Sequence, residues 1–226
     1  MNRCYLAAVL LLATTAFSQI RENAARFVTW QPMDVSAFED GYKRHLAWHR
    51  SASDPWTWYG WTIISGDRYG TFIDATMFHQ WPDFDNPVKP AEDAADNAMN
   101  VFPHAQIRSV VSYEVMSPLT VFRPQDIESY PLMSFFTLRL RPGAESAFEH
   151  AAIGVMRSIG GPHAILRPVT GATDYLLLLP ARNSIDLPEN AEIFRRLVAA
   201  MPQDAVIDTR LELARFRRDM SYWPQS

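Results

Sequence analysis

The chain has 226 residues, 48% of them hydrophobic and 20% charged, with a formal net charge of -4. That is globular composition and enough chain for one large core or two modest ones. The mild acidity argues against nucleic acid as a partner, because such partners call for a clustered basic face. The densest basic stretch, Arg215, Arg217 and Arg218, is interleaved with apolar residues and reads as the solvent side of a strand.

Residues 1–18 read as a secretory leader. Arg3 supplies the positive start, 5–12 the apolar run, and Ala16-Phe17-Ser18 the small residues at the -3 and -1 positions of a cut after Ser18. The expected location is therefore secreted or periplasmic. The run is shorter than the about 20 residues that cross a bilayer, and no later segment reads as a span. Cys4, the one cysteine, precedes the apolar run and leaves with the leader. The mature chain then has no disulfide framework and no cysteine nucleophile or thiolate ligand.

Past the leader, the sequence repeats itself. Pro32-Met33-Asp34-Val35-Ser36-Ala37-Phe38-Glu39 aligns with Pro142-Gly143-Ala144-Glu145-Ser146-Ala147-Phe148-Glu149, with Pro, Ser, Ala, Phe and Glu coinciding at an offset of 110. The elements around the two segments run in the same order. In the first unit, 19–117, the pattern predicts a strand over 26–32, a helix over 35–50, a hairpin of 56–65 and 69–79 around Gly66-Asp67-Arg68, a helix over 91–101 and a strand over 107–116. A proline-marked linker, 118–131, follows. The second unit, 132–226, predicts a strand over 133–141, a helix over 144–159, a hairpin of 163–169 and 174–180 around Gly171, a helix over 188–201 and a strand over 206–217.

Strand, helix, hairpin, helix, strand is the ferredoxin-like arrangement, two helices on one face of a four-stranded antiparallel sheet. The opposite faces carry apolar residues, among them Leu211, Leu213, Phe216, Trp56, Trp58 and Tyr59, and must be covered. The expected fold class is α+β, two tandem ferredoxin-like units with sheets packed as an α+β barrel or sandwich. In this the chain resembles the dimeric α+β-barrel superfamily, as a tandem-duplicated member. The resemblance rests on element order and length. It implies a range of roles that includes antibiotic-biosynthesis monooxygenases, haem-degrading enzymes, dye-decolorising peroxidases and chlorite dismutases, so fold alone transfers no activity. Such a chain is expected to be a monomer through internal pairing of its sheets, or a homodimer.

The repeat also offers an internal control. On the helix of the second unit, Phe148, Ala152, Val155 and Ile159 form an aliphatic stripe. At the same offset the first unit has Phe38, Tyr42, His45 and His49, two histidines four residues apart on one helix face. Local hydrogen bonding, a ligand pocket between helix and sheet, and metal or haem ligation are three readings of that pair. A metal needs a third ligand, for which His79, Asp74 and Glu39 are candidates, and His45-Leu46-Ala47-Trp48-His49 lacks the glutamate of HExxH. Aromatic residues crowd the following hairpin, and Gly60 and Gly70 within it mark a bulge or a close approach. The expected ligand-binding set is Tyr42, His45, His49, Trp58, Trp61 and Asp74, for a small hydrophobic molecule; the alternatives are a monooxygenase-like or haem-dependent oxidoreductase using His45 or His49, and a structural or interaction module. Asp83, Asp85 and Asn86 lack the EF-hand glycine and glutamate, so 81–87 reads as a surface loop leading to an acidic helix start at Glu92, Asp93 and Asp96.

Overall fold

The computed structural model describes residues 22–224, so the leader and its cut after Ser18 lie outside the described residues. The order is β1 (Ala24–Pro32), α1 (Val35–Ser51), β2 (Tyr59–Ser65), β3 (Phe72–His79), α2 (Pro90–Asn100), β4 (Ala105–Val115), β5 (Leu132–Leu140), α3 (Glu145–Met156), β6 (Ala164–Thr170), β7 (Asp174–Ala181), α4 (Leu187–Ala199) and β8 (Val206–Phe216). Both halves thus have the predicted βαββαβ order.

The strands close into one antiparallel barrel in the order β1-β3-β2-β8-β5-β7-β6-β4. Each half contributes four neighbouring strands, and the halves meet at two like seams, β2 with β8 and β4 with β6. Among the described residues, closure within one chain leaves no sheet edge unpaired. Side chains alternate across each strand, so every strand feeds two cores. Inside the barrel pack Phe27, Tyr59, Trp61, Ile73, Phe135, Leu166 and Leu178. Outside, α3 and α4 cover the C-terminal half through Phe148, Ala152, Val155, Phe194 and Leu197 against Phe136, Leu138 and Leu177. Over the N-terminal half, α1 lays Phe38, Tyr42 and Leu46 on Trp30 and Phe72. Phe38 and Phe148 are both buried anchors of their helix on their own sheet, 1% and 0% exposed.

Three details refine the sequence reading. Leu211 and Leu213 were expected to share an inward face with Phe216, but period-two alternation separates them: Leu211 is exposed, and Phe216 packs against the barrel core. Glu212 points inward instead and is held by the Arg68 guanidinium. The stretch 118–131 does more than connect, since Phe122 and Ile127 join the barrel core. After β8 the chain crosses to the first half, where Tyr222 pairs with the backbone of Trp58 and Met220 packs under α1. Gly60 permits this crossing: a Cβ there would lie 2.3 Å from the Met220 carbonyl oxygen.

Candidate functional site: a cavity beneath the first helix pair

Helix α1 begins at Asp34, whose carboxylate accepts the Ala37 N–H at 3.0 Å and caps the first turn. Its buried face then carries Phe38, Gly41, Tyr42, His45, Leu46 and His49 at helical spacing. Gly41 costs helix stability but sits where α2 crosses; a Cβ would lie 1.9 Å from the Asn100 carbonyl oxygen. That approach brings the acidic face of α2 onto the histidines.

Between α1, α2 and the outer face of the sheet lies a cavity of about 240 Å³. Tyr42, His45 and His49 from α1, Asp93 and Asn97 from α2, Asp74 from β3, and Arg26 and Trp30 from β1 line it, with Val28, Trp58, Phe102, Ile107 and Val110 as apolar wall. Five of the six expected ligand-binding residues therefore meet here. Trp61 does not. Three residues after Trp58, it falls on the other face of β2, inside the barrel against Phe135 and Phe216.

The histidines are held by carboxylates. His45 Nδ1–H donates to Asp96 Oδ2 at 2.8 Å, and His49 Nδ1–H donates to Asp54 Oδ2 at 2.7 Å. Both Nε2 atoms then converge, 3.1 Å apart. Asp93 Oδ1 lies 3.5 Å from His45 Nε2, and Asn97 Nδ2 donates to both of these atoms at 3.2 Å. Trp48 stacks on the His45 ring, and Tyr222 on His49, closing the pair from either side. Burial, and then the neighbouring His49, pushes His45 down to about 4. Asp54 feels burial in the opposite sense, yet the donors from His49, Trp58 and the Trp56 amide draw it below its usual value. Burial raises Asp93.

Asp74 forms the opposite wall. Its Oδ2 accepts Trp30 Nε1–H at 2.8 Å and Tyr42 O–H at 3.0 Å. Its Oδ1 is buried without a partner, as is Arg26 Nε on the same cavity. Burial pushes the Asp74 carboxyl up to about 6, against the pull of those two donors.

Of the third-ligand candidates, none stands beside the histidines. Asp74 lies outside the close group that His45 and His49 form with Asp93 and binds Trp30 and Tyr42 through Oδ2, Glu39 is paired with Arg217, and His79 contacts Thr76 and the Trp56 ring. Asp93 takes the place, because the acidic start of α2 faces α1 rather than solvent. The sequence held one signal of this: α2 (PAEDAADNAMN) offers Asp93, Asp96 and Asn97 but no large apolar stripe to lay on α1, its neighbour in the fold. Asp54, five residues beyond His49, and Arg26 and Trp30 gave no such signal. His163, also buried, is bonded to the Gly161 carbonyl, away from the cavity.

No family model matches the chain, and no curated protein matches its sequence. Solved structures do match. A protein of Lactobacillus acidophilus NCFM named "putative monooxygenase" superposes with a TM-score of 0.61 at 11% identity, over 89% of this chain and 97% of that one. An anthrone oxidase-like protein gives 0.55 at 7% identity, over 91% and 94%. A haem-binding protein from Thermus thermophilus gives 0.52 at 10% identity, over 88% and 92%. A haem does not fit the cavity as its side chains stand. The two histidine Nε2 atoms face one another at 3.1 Å rather than open space, so neither imidazole presents a free nitrogen to an iron without turning away from the other. Closed eight-stranded topology, helices on the outer faces and these superpositions agree on one conclusion: the chain is an α+β barrel of the kind these solved proteins have, closed within a single polypeptide.

Proposed function

We propose that the protein binds a small, mostly apolar organic molecule bearing a hydroxyl or similar donor, and that the cavity beneath α1 and α2 is the substrate pocket of a monooxygenase-like oxidoreductase. The observation that carries this reading is the buried, unpartnered Asp74 Oδ1 on a cavity whose wall joins the apolar Val28, Trp30, Trp58, Phe102, Ile107 and Val110 to the polar groups of α1 and α2. A buried acceptor without a partner costs free energy that a ligand donor recovers. A carboxyl held near 6 is also suited to take a proton from a weakly acidic hydroxyl at neutral pH. The O–H bond breaks, the proton goes to Asp74, and the guanidinium of Arg26 on the same wall balances the anion left behind. The oxidoreductase class is supported at fold level, by the neighbours named as a monooxygenase and an anthrone oxidase-like protein. The leader read over 1–18 adds that this chemistry takes place after export, which N-terminal sequencing of the protein recovered outside the cytoplasm checks.

The test uses Trp30 and Trp58 as reporters. Titration with phenol, 2-naphthol and anthrone is expected to change tryptophan fluorescence, and Asp74→Asn to weaken hydroxylated ligands about 10-fold more than their deoxygenated analogues. An oxygen electrode then reports consumption with the ligand that binds best. A fluorescence signal indifferent to the whole panel would end the pocket reading. A Soret band after haem addition, lost in the His45→Ala/His49→Ala double variant, would redirect it to haem chemistry.

A further inference from the structure

We propose that His45, His49 and Asp93 form a site for one divalent first-row transition-metal ion, with Asp96 and Asp54 as the positioning residues that fix both imidazoles in the ligating tautomer.

The geometry makes the case. Carboxylates only accept, so Asp96 and Asp54 require the proton of each ring on Nδ1. The Nε2 lone pairs of the neutral rings are thereby turned toward each other across 3.1 Å. Two lone pairs at that distance repel unless something positive stands between them, either a shared proton or a cation. Asp93 adds a negative oxygen to the same point, 3.5 Å from His45 Nε2. These two separations approach the edge of about 3.3 Å expected for donors each about 2.0–2.1 Å from one tetrahedral ion. One donor atom of each residue lies within 4.8 Å of the others, so rotation of the half-exposed Asp93 carboxylate closes the third edge. Metal-bound histidines commonly donate their other N–H to a carboxylate, and both do so here.

The donor set selects the ion. Two imidazoles and one carboxylate suit zinc, iron(II), cobalt(II) or nickel(II), whereas magnesium and calcium take oxygen ligands. Three protein ligands leave a coordination position free, and these ligands also line the organic cavity. Asn97, whose side-chain nitrogen contacts both His45 Nε2 and Asp93 Oδ1, is the group an ion would displace. The inference does not depend on which organic molecule the cavity takes.

The experiment is cobalt(II) titration of the chelator-stripped full chain. Expected are visible ligand-field bands saturating at one ion per chain, displacement by zinc, and a rise in melting temperature with either metal. His49→Ala should abolish the bands. Asp93→Asn, at a half-exposed position where the fold is least at risk, should weaken cobalt at least about 10-fold. Asp96→Asn and Asp54→Asn should each weaken it about 10–100-fold. Exposed Glu92→Gln, next to Asp93, should leave the titration unchanged. Absence of bands and of any thermal shift with cobalt, zinc, nickel and iron(II) would overturn the site, leaving a proton shared between the imidazoles. Cobalt binding that survives both His49→Ala and Asp93→Asn would overturn it as well, by placing the ion elsewhere. Metal-free protein is the sample for the fluorescence titrations, so failure of the organic pocket and failure of the metal site are read separately.

Discussion

Helix α3 lays Phe148, Ala152 and Val155 on its sheet, with Ile159 just past its end, and the core beneath it is apolar around one buried amide, Asn190. Helix α1, with its phenylalanine in the same role, lays Tyr42, His45 and His49 at the corresponding turns. The difference extends beyond one helix. In the C-terminal half, α4 adds Ile193, Phe194 and Leu197 to that apolar core. In the N-terminal half, α2 adds Asp93, Asp96 and Asn97, and a cavity remains. A buried imidazole must find partners, and carboxylates that supply them cannot also fill a core. The two layers share an architecture, and the first has placed imidazoles and carboxylates where the second packs aliphatic and aromatic side chains.

The largest effects test the shared part. Phe148→Ala and Phe38→Ala should each cost about 3–5 kcal/mol by denaturant unfolding, since both rings are fully buried. A loss under about 1 kcal/mol for Phe38→Ala alone would mean that the polar network, not the anchor, holds α1 down.

Next in size is the pH dependence of Asp74. Its carboxyl stands at about 6 in the folded chain against an ordinary 3.8, so between those values the folded state binds more protons than the unfolded. Stability therefore falls as pH rises through that window, by about 3 kcal/mol in all. Asp74→Asn keeps an acceptor for Trp30 and Tyr42 and carries no charge, so urea midpoints followed from about pH 4 to 8 should lose this component. Parallel curves for the two proteins would refute the assignment.

Transplanting a histidine comes third. Val155→His puts an imidazole into the apolar contact between α3 and its sheet, and thermal unfolding should show a cost of about 1–3 kcal/mol. The helix glycines give the smallest effects, of opposite sign. A Cβ at Gly154 of α3 meets nothing within 4 Å, so Gly154→Ala should stabilise by about 0.5–1 kcal/mol. At Gly41 the Asn100 carbonyl stands in the way, and Gly41→Ala should destabilise by about 1 kcal/mol while shifting α2 and weakening ligand binding. Equal responses at the two glycines would remove the reason given for the approach of α2.

Local sequence carried much of this. Apolar spacing and turn residues located each helix and strand, and the match of Phe38 with Phe148 put His45 and His49 on a buried helix face. Five of the six residues expected to bind a ligand share one cavity for that reason. Trp61 was misplaced by a rule that was itself legible: a strand position three beyond Trp58 faces the other way.

What the chain determined by itself was each element and the polarity of each face, because helix and strand periods are local properties of the backbone. Which faces meet was decided in three dimensions. The seams β2–β8 and β4–β6, the return of Tyr222 to the first half, and the meeting of Asp93, Asp96 and Asp54 with two histidines all join residues through closure of the barrel and the crossing of helices. Those contacts depend on close approaches between elements, such as the one Gly41 permits, and residue spacing along a strand or helix holds no record of them.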